Sequence, residues 1–476
     1  MRRQLIPLSG TVLLIASIAA AGDEQRVLPR NMTDEERAAM EANLFGYFIW
    51  DCFPDIAGFT DPPPLTSRFP TESEQTRGAM YGWPSYGSQM APLTELIRNS
   101  VQQDGYETTV MVSNESQRLS AIATLTSRDF DADMLSRINW FITPLNGIWI
   151  RDYGAEVLIT PDGNFQFVDM GYYSSARGTC TTTPDQMPQR PSDDVSPTRF
   201  APNLLGGVDV FRPMLRTEGG NLQTDGQGTC VHMQRDVLAE NNFNGDGISW
   251  HYAQGDLDAV YTNYFNCFNV ITLESLQRDP GGLSIGQNIV IDHVDMFMSF
   301  ISPQTVIVAR LDDEDAAIDP ANAGVLDRNA QTLSDAGYNV VRIPQPARYC
   351  TVHHSLTCVA SCESCPYSPG ANETRECAGS GLDRVWATYA NSIRVGNRMM
   401  VPVYHDPMAD DSPLSQDVKD RIWRQETEAL NTFQAALDAE YGEGAVTVVP
   451  VVSDDMIPCQ GSMHCISMTY GPPPMQ

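Results

Sequence analysis

The chain of 476 residues is 42% hydrophobic and 9% aromatic, which supplies enough apolar surface for a folded core and excludes a disordered or fibrous protein. Its 60 acidic and 30 basic residues give a formal charge of −30, spread along the sequence rather than gathered in a tail, which excludes nucleic acid as a partner. A field of that sign draws cations such as guanidinium compounds, but a solvated acidic surface is the stronger account of it.

Arg2 and Arg3 precede the apolar run of residues 11–20, and Ala19, Ala20 and Ala21 stand before Gly22 and Asp23. That is the pattern of a cleaved signal peptide over residues 1–21, shorter than the roughly 20 apolar residues of a membrane span. The expectation is a secreted or periplasmic protein with no membrane span. Residues 22–65, polar and Pro-rich at Asp61-Pro-Pro-Pro64, read as an N-terminal extension laid on a catalytic body of residues 66–476.

Within that body Trp83-Pro84 closes an apolar run, residues 91–102 read as a helix, 108–112 as a strand and 134–138 as part of a helix. Residues 157–160 and 165–168 flank the turn Pro161-Asp-Gly163, a hairpin signal, and residues 214–223 and 229–233 flank a second turn at 225–228. A strand at 306–309 follows, with helices at 321–336 and 414–440 and a last strand at 445–452. In the second of these helices Val418, Ile422, Leu430, Phe433 and Leu437 keep near a 3.6-residue period. The recurring strand-strand-helix-strand order, without long linkers, predicts one large α/β body rather than separable domains.

Eleven cysteines, an odd number in an exported chain, leave at least one thiol unpaired. Cys350 to Cys377 packs five of them into 28 residues beside His353 and His354. Zinc would want better separated Cys-x2-Cys pairs than Cys358, Cys362 and Cys365 supply, so residues 350–377 read as a disulfide-rich insertion and no metal is expected. Residues 241–247 are rich in oxygen donors, but Ala253 stands where a calcium loop needs a bidentate Glu, so calcium is not predicted.

Four short pieces each hold an acid, a base or a nucleophile among glycines or aromatic residues: Trp149-Ile-Arg-Asp152-Tyr-Gly154, Glu218-Gly-Gly-Asn221, Asp292-His293-Val-Asp295 and Met463-His464-Cys465. Singly, each has an ordinary structural explanation as a salt-bridged acid, a turn or a buried thiol. Thr224-Asp-Gly-Gln-Gly-Thr229 follows the second piece, and Tyr389-Ala-Asn391 with Val401-Pro-Val-Tyr404 precedes the last. In this order the set resembles the guanidine-modifying enzymes of the pentein superfamily, in particular the agmatine deiminase and bacterial-type peptidylarginine deiminase family. The resemblance runs from about residue 68 to 472. It implies a pentein-type α/β propeller of pseudo-fivefold ββαβ units, interrupted by the cysteine-rich insertion.

The resemblance further implies Cys465 as nucleophile, His293 as general acid/base and Glu218 as a supporting acid near it. Asp152 and Asp295 are the implied pair gripping a guanidinium, with Trp149 and Asn221 completing the expected binding residues. A guanidinium carbon is shielded by resonance, so carboxylates must hold it while a strong nucleophile lies over its plane. The expected reaction converts guanidinium to a ureido group plus ammonia, with no cofactor. Two positions depart from the family: Ala155 stands where Pro is usual, and Cys459-Gln-Gly-Ser-Met-His-Cys465 replaces a glycine-rich approach. Cys459 is expected to form a disulfide elsewhere rather than to oxidise with Cys465.

Export tilts the substrate toward arginine in peptides, with agmatine or free arginine as the alternatives; Arg177 or Arg348 is available to meet a carboxylate, although an ordinary surface role is the better reading of either. Two other classes stay open. A papain-like thiol hydrolase also needs Cys and His, but there the Cys comes first, whereas His293 precedes Cys465. A catalytically silent guanidinium-binding protein of the same fold is the other, against which the complete set of reactive residues argues.

Overall fold

The computed structural model describes residues 60–83, 91–143, 145, 147–171, 193, 196–197, 208–213, 215, 217–233, 253–277, 289–291, 293–347, 349–352, 382–405, 408, 412, 414–454, 456–457 and 461–472. The expected signal peptide, most of the N-terminal extension and of the cysteine-rich insertion, residues 241–247, Arg177, Arg348 and Cys459 lie outside them. Among the described residues no helix is long and apolar enough to cross a membrane.

In chain order the strands are β1 (Gly78–Gly82), β2 (Glu107–Val112), β3 (Ile138–Ile142), β4 (Glu156–Ile159), β5 (Phe165–Val168), β6 (Val210–Phe211) and β7 (Gln223–Thr224). They continue with β8 (Thr229–Met233), β9 (Asn269–Leu273), β10 (Leu276–Gln277), β11 (Ile289–Ile291), β12 (Met298–Phe300), β13 (Thr305–Arg310) and β14 (Asn339–Pro344). The rest are β15 (Tyr349–Val352), β16 (Leu382–Val385), β17 (Ile393–Val395), β18 (Arg398–Val403), β19 (Thr447–Val452) and β20 (Met468–Tyr470).

Sixteen of these strands form five mixed sheets on one plan. A short leading strand runs antiparallel to the next, which pairs parallel with a third: β4-β5-β6, β7-β8-β9, β12-β13-β14, β17-β18-β19 and β20-β1-β2. The last of these gains β3 at its edge. A parallel neighbour requires a crossover, and helices Ala91–Val101, Gln254–Phe265, Pro320–Asp335 and Gln416–Tyr441 supply it in four of the five units.

Those helices form for local reasons and stay for packing. Helix Gln416–Tyr441 turns Ile422, Ala429, Phe433, Ala436 and Leu437 inward at helical spacing, each large apolar side chain being worth about 1.5–3 kcal/mol when buried. Helix Pro320–Asp335 starts with Pro at its first turn, and the Asp319 side chain accepts the Asn322 N–H. Val306, Ile307, Val308 and Ala309 of β13 are all buried, as in a strand covered on both faces.

Three elements differ from the sequence expectation. The helix at residues 134–138 is Ala132–Ser136, and Ile138 already opens β3, where the apolar stretch Ile138–Ile142 pairs with Thr108–Val112. The first arm of the second hairpin shrinks to Gln223–Thr224 because Gly219–Asn221 winds into a 3-10 turn. The strand at 445–452 is not the last: β20 follows it and pairs with β1, so that the final strand completes the sheet begun by the first. One disulfide is described, Cys230–Cys267, joining β8 to the turn before β9 with 5.6 Å between Cα atoms.

Candidate active site

In each of the five units the leading strand is entered through a tight turn, and those turns carry the candidate residues. Asp152 lies in the turn of helix Ile150–Tyr153 before β4, Glu218 to Asn221 before β7, His293 to Asp295 before β12, Asn391 before β17 and Cys465 before β20. The turns touch in a closed ring. The Arg151 N–H donates to the Cys465 carbonyl at 3.2 Å, and the Arg151 carbonyl lies against Gly219. Gly220 packs on His293, the Asn391 side-chain amide donates to the Asp295 carbonyl at 3.4 Å, and the His464 N–H donates to Asn391 Oδ1 at 3.0 Å. A Cβ at 220 would stand 2.5 Å from His293 Nδ1 and 3.2 Å from both Asp152 Oδ1 and Asp295 Oδ2, so any larger residue there displaces the imidazole.

Around that glycine the functional groups converge. His293 Nε2 is 2.5 Å from Glu218 Oε2, and Nδ1 is 3.7 Å from Asp152 Oδ1. Cys465 is a free, buried thiol whose Sγ lies 3.6 Å from Asp295 Oδ2 and accepts from Asn391 Nδ2 at 3.3 Å. Asp152, Glu218 and His293 keep some exposure, whereas Asp295 and Cys465 are buried, so the cleft is open on the imidazole side and floored by the thiol and Asp295. Trp149 stands beside it: its ring edge packs on Gly461, where a Cβ would clash with the ring and stand 3.3 Å from Cys465 Cβ.

The electrostatics follow from this crowding of acids. Burial pushes the Cys465 thiol up, Asp295 and Asp152 add to the push, and the hydrogen bond to His293 pulls it back, leaving it at about 12. Burial pushes His293 down, but Asp152, the Cys465 hydrogen bond and Glu218 more than reverse this and hold it well above the ordinary imidazole range. One ligand atom each from Asp152, Glu218 and His293 lies within 4.8 Å of the others, a set able to receive a cation, whether a metal ion or a guanidinium.

A sequence profile of the Porphyromonas-type peptidyl-arginine deiminase family matches residues 68–471. The chain belongs to this family. A provisionally named agmatine deiminase of Shewanella frigidimarina is 26% identical over 271 residues, which is 56% of this chain and 64% of that protein, so the match spans less than two thirds of the relative. Solved structures share the fold. An agmatine deiminase of Enterococcus faecalis superposes with a TM-score of 0.60 at 18% identity, covering 87% of this chain and 98% of its own. The C. jejuni agmatine deiminase gives 0.54 at 17%, covering 85% and 96%. The α/β architecture is thus that of pentein-type deiminases.

Of the residues singled out in sequence, this deiminase-family chain brings Asp152, Glu218, His293, Asp295 and Cys465 to one cleft with Trp149 beside it. Asn221 is placed elsewhere. Its Oδ1 accepts the Met233 N–H at 3.0 Å and its amide donates to the Met233 carbonyl at 3.4 Å, so it locks the hairpin instead of facing a ligand. Ala155, where Pro is usual, is buried between the turn and β4 and changes no polar group. Four polar residues behind the cleft had no functional reading: Glu72, Arg151, His464 and Asn391. Arg151 is buried and ion-paired with Glu72, whose carboxyl is held at about 2; burial opposes that, and Arg151 and His464 outweigh it. The sequence signal for Arg151 and His464 is adjacency to Asp152 and Cys465, that for Asn391 is its place in Tyr389-Ala-Asn391, and Glu72 has none.

Proposed function

We propose that this chain hydrolyses a guanidinium group to a ureido group plus ammonia through a covalent intermediate on Cys465. The observation that carries the reading is the convergence of a free thiol, an imidazole and three carboxylates on one cleft, each delivered by an equivalent turn of the fold. A planar cation set between Asp152 and Asp295 presents its carbon to Sγ. Its charge offsets the two carboxylates that push the thiol up, so binding expels the thiol proton and leaves the attacking thiolate.

Attack forms an S–C bond and a tetrahedral adduct. Protonated His293 gives its proton to the departing nitrogen, the C–N bond breaks, and ammonia leaves a thiouronium on Sγ. His293, now neutral and oriented by Glu218 on Nε2, takes a proton from water as the water oxygen adds to the same carbon. Collapse of that adduct breaks the S–C bond, passes the hydroxyl proton to solvent, frees the ureido product and returns the thiolate. The leader-like residues 1–21 support export, and an exported deiminase meets arginine in peptides; peptidyl-arginine is the proposed substrate, with agmatine as the second choice.

The test incubates the purified protein with an arginine-containing peptide, agmatine and free arginine, and measures ammonia and ureido product for wild type and Cys465→Ala. Release from the peptide or agmatine that vanishes in the variant is expected. Release from none of the three, or equal release by the variant, refutes the proposal. Peptide-bond cleavage would assign a thiol hydrolase instead, and binding without turnover a silent guanidinium-binding protein.

A further inference from the structure

His464 has a carboxylate on each ring nitrogen. Nδ1 lies 2.8 Å from Asp295 Oδ2, Nε2 is hydrogen-bonded to Glu72 Oε2, and the ring is buried. An ionised carboxylate oxygen only accepts, so both ring nitrogens must donate, and only the imidazolium carries two N–H groups. We propose that Glu72 and His464 are positioning residues: His464 is held as an imidazolium between Glu72 and Asp295, and this clamp sets the Asp295 carboxylate for the substrate guanidinium. The inference rests on the deiminase reading and deepens it.

The two oxygens of Asp295 are not equivalent. Oδ2 is engaged by His464, whereas Oδ1 is buried and has no hydrogen-bond partner among the described residues. Oδ2 is also the oxygen that lies 3.6 Å from Cys465 Sγ and stands with Asp152 Oδ1 and His293 Nδ1 around Gly220, so the bond to His464 fixes the oxygen that faces the guanidinium. The clamp is itself braced, because Glu72 is ion-paired with buried Arg151, so a chain of contacts runs Arg151, Glu72, His464, Asp295, Cys465.

The ionisable groups facing His464 come from every element packed on it: Glu72 from the segment before β1, Arg151 from helix Ile150–Tyr153, Glu156 from β4, Asp295 from the turn before β12, and Cys465 beside it on its own turn. Burial and Arg151 push His464 down, and Glu72 and Asp295 outweigh them, so the ring is held above the ordinary imidazole range. Neither Glu72 nor His464 needs to touch the substrate; both act through Asp295.

The test reads the protonation state of His464 by nitrogen-15 NMR of histidine-labelled protein at pH 8, the signal being assigned by its loss in His464→Gln. Both ring nitrogens are expected to carry protons in the wild type. In Glu72→Gln the ring is expected to turn neutral and KM for the guanidinium substrate to rise about tenfold to a hundredfold with a smaller change in kcat, while Glu72→Asp recovers part of both. A neutral His464 in the wild type overturns the proposal, as does a Glu72→Gln protein that keeps the imidazolium or leaves KM unchanged. If Glu72→Gln does not fold, the wild-type spectrum alone decides. That spectrum needs no turnover, so a protein that releases no ammonia refutes the deiminase reading without touching the His464 result.

Discussion

Replacing Asp295 by asparagine is predicted to move two properties of Cys465 in opposite directions. Asp295 Oδ2 lies 3.6 Å from Sγ and, after burial, is the largest cause of the thiol standing at about 12. Two unit charges at that separation repel by about 5 kcal/mol at an effective dielectric constant near 20, equivalent to about 3 pH units. Removing the carboxylate charge therefore returns the thiol toward its ordinary 9.0. At pH 7.5 the thiolate fraction rises about a thousandfold, while the lower basicity cuts its nucleophilicity about twentyfold, so alkylation by iodoacetamide accelerates about fiftyfold. Turnover of a guanidine falls, since the substrate loses one of two gripping carboxylates, by at least about tenfold to a hundredfold in kcat/KM. Timed alkylation read by mass spectrometry on the Cys465 peptide, beside ammonia release, measures both. Access to the buried thiol is common to the two proteins, so it cancels in the ratio. Unchanged or slower alkylation, or intact turnover, refutes the placement of Asp295 as the charge that suppresses the free thiol and grips the substrate.

Gly220→Ala is predicted to fold with a loss of about 1–3 kcal/mol, because its backbone is not in the left-handed region, yet to lose at least about a hundredfold in ammonia release as the new methyl displaces His293; a denaturation midpoint and an activity assay on the same sample separate the two. Asn221→Ala is predicted to cost about 1–3 kcal/mol by stranding the buried Met233 N–H, with KM unchanged for the folded fraction, and a raised KM would return Asn221 to the ligand. Glu426 is held at about 7 by burial, above its ordinary 4.5, so ionising it costs the folded state. That cost is absent below pH 4.5 and complete above pH 7, about 3 kcal/mol at most. Glu426→Gln, which still accepts the Tyr404 N–H, is therefore expected to raise the urea midpoint at pH 8 and leave it unchanged at pH 4; no gain at pH 8 refutes the buried-carboxylate account.

What the sequence reveals and what it hides both follow from the five turns. A turn that must bring backbone within contact of its neighbours while presenting one polar group needs glycine or a short helical turn beside that group, so Glu218-Gly-Gly-Asn221 and Trp149 to Gly154 carry a local signature. The long helices are equally readable because each has several periods over which an apolar stripe repeats. The leading strands β12, β17 and β20 have three residues each, fewer than two periods of alternation, and β20 leaves no signal at all. Glu72 is hidden for another reason. It sits in Thr71-Glu-Ser-Glu74, which in a chain of charge −30 reads as one more acidic surface stretch, and its partner His464 is 392 positions away. Asn221 misleads in the opposite sense, because the same glycine-rich turn that presents Glu218 to His293 requires an internal lock, and a residue serving the turn is as strongly marked as one serving a ligand. Local pattern therefore identifies which turns matter, and only the pairing of β20 with β1 decides how they act together. That pairing holds the final turn in the ring, setting Cys465 against Arg151 and His464 between Asp295 and Glu72.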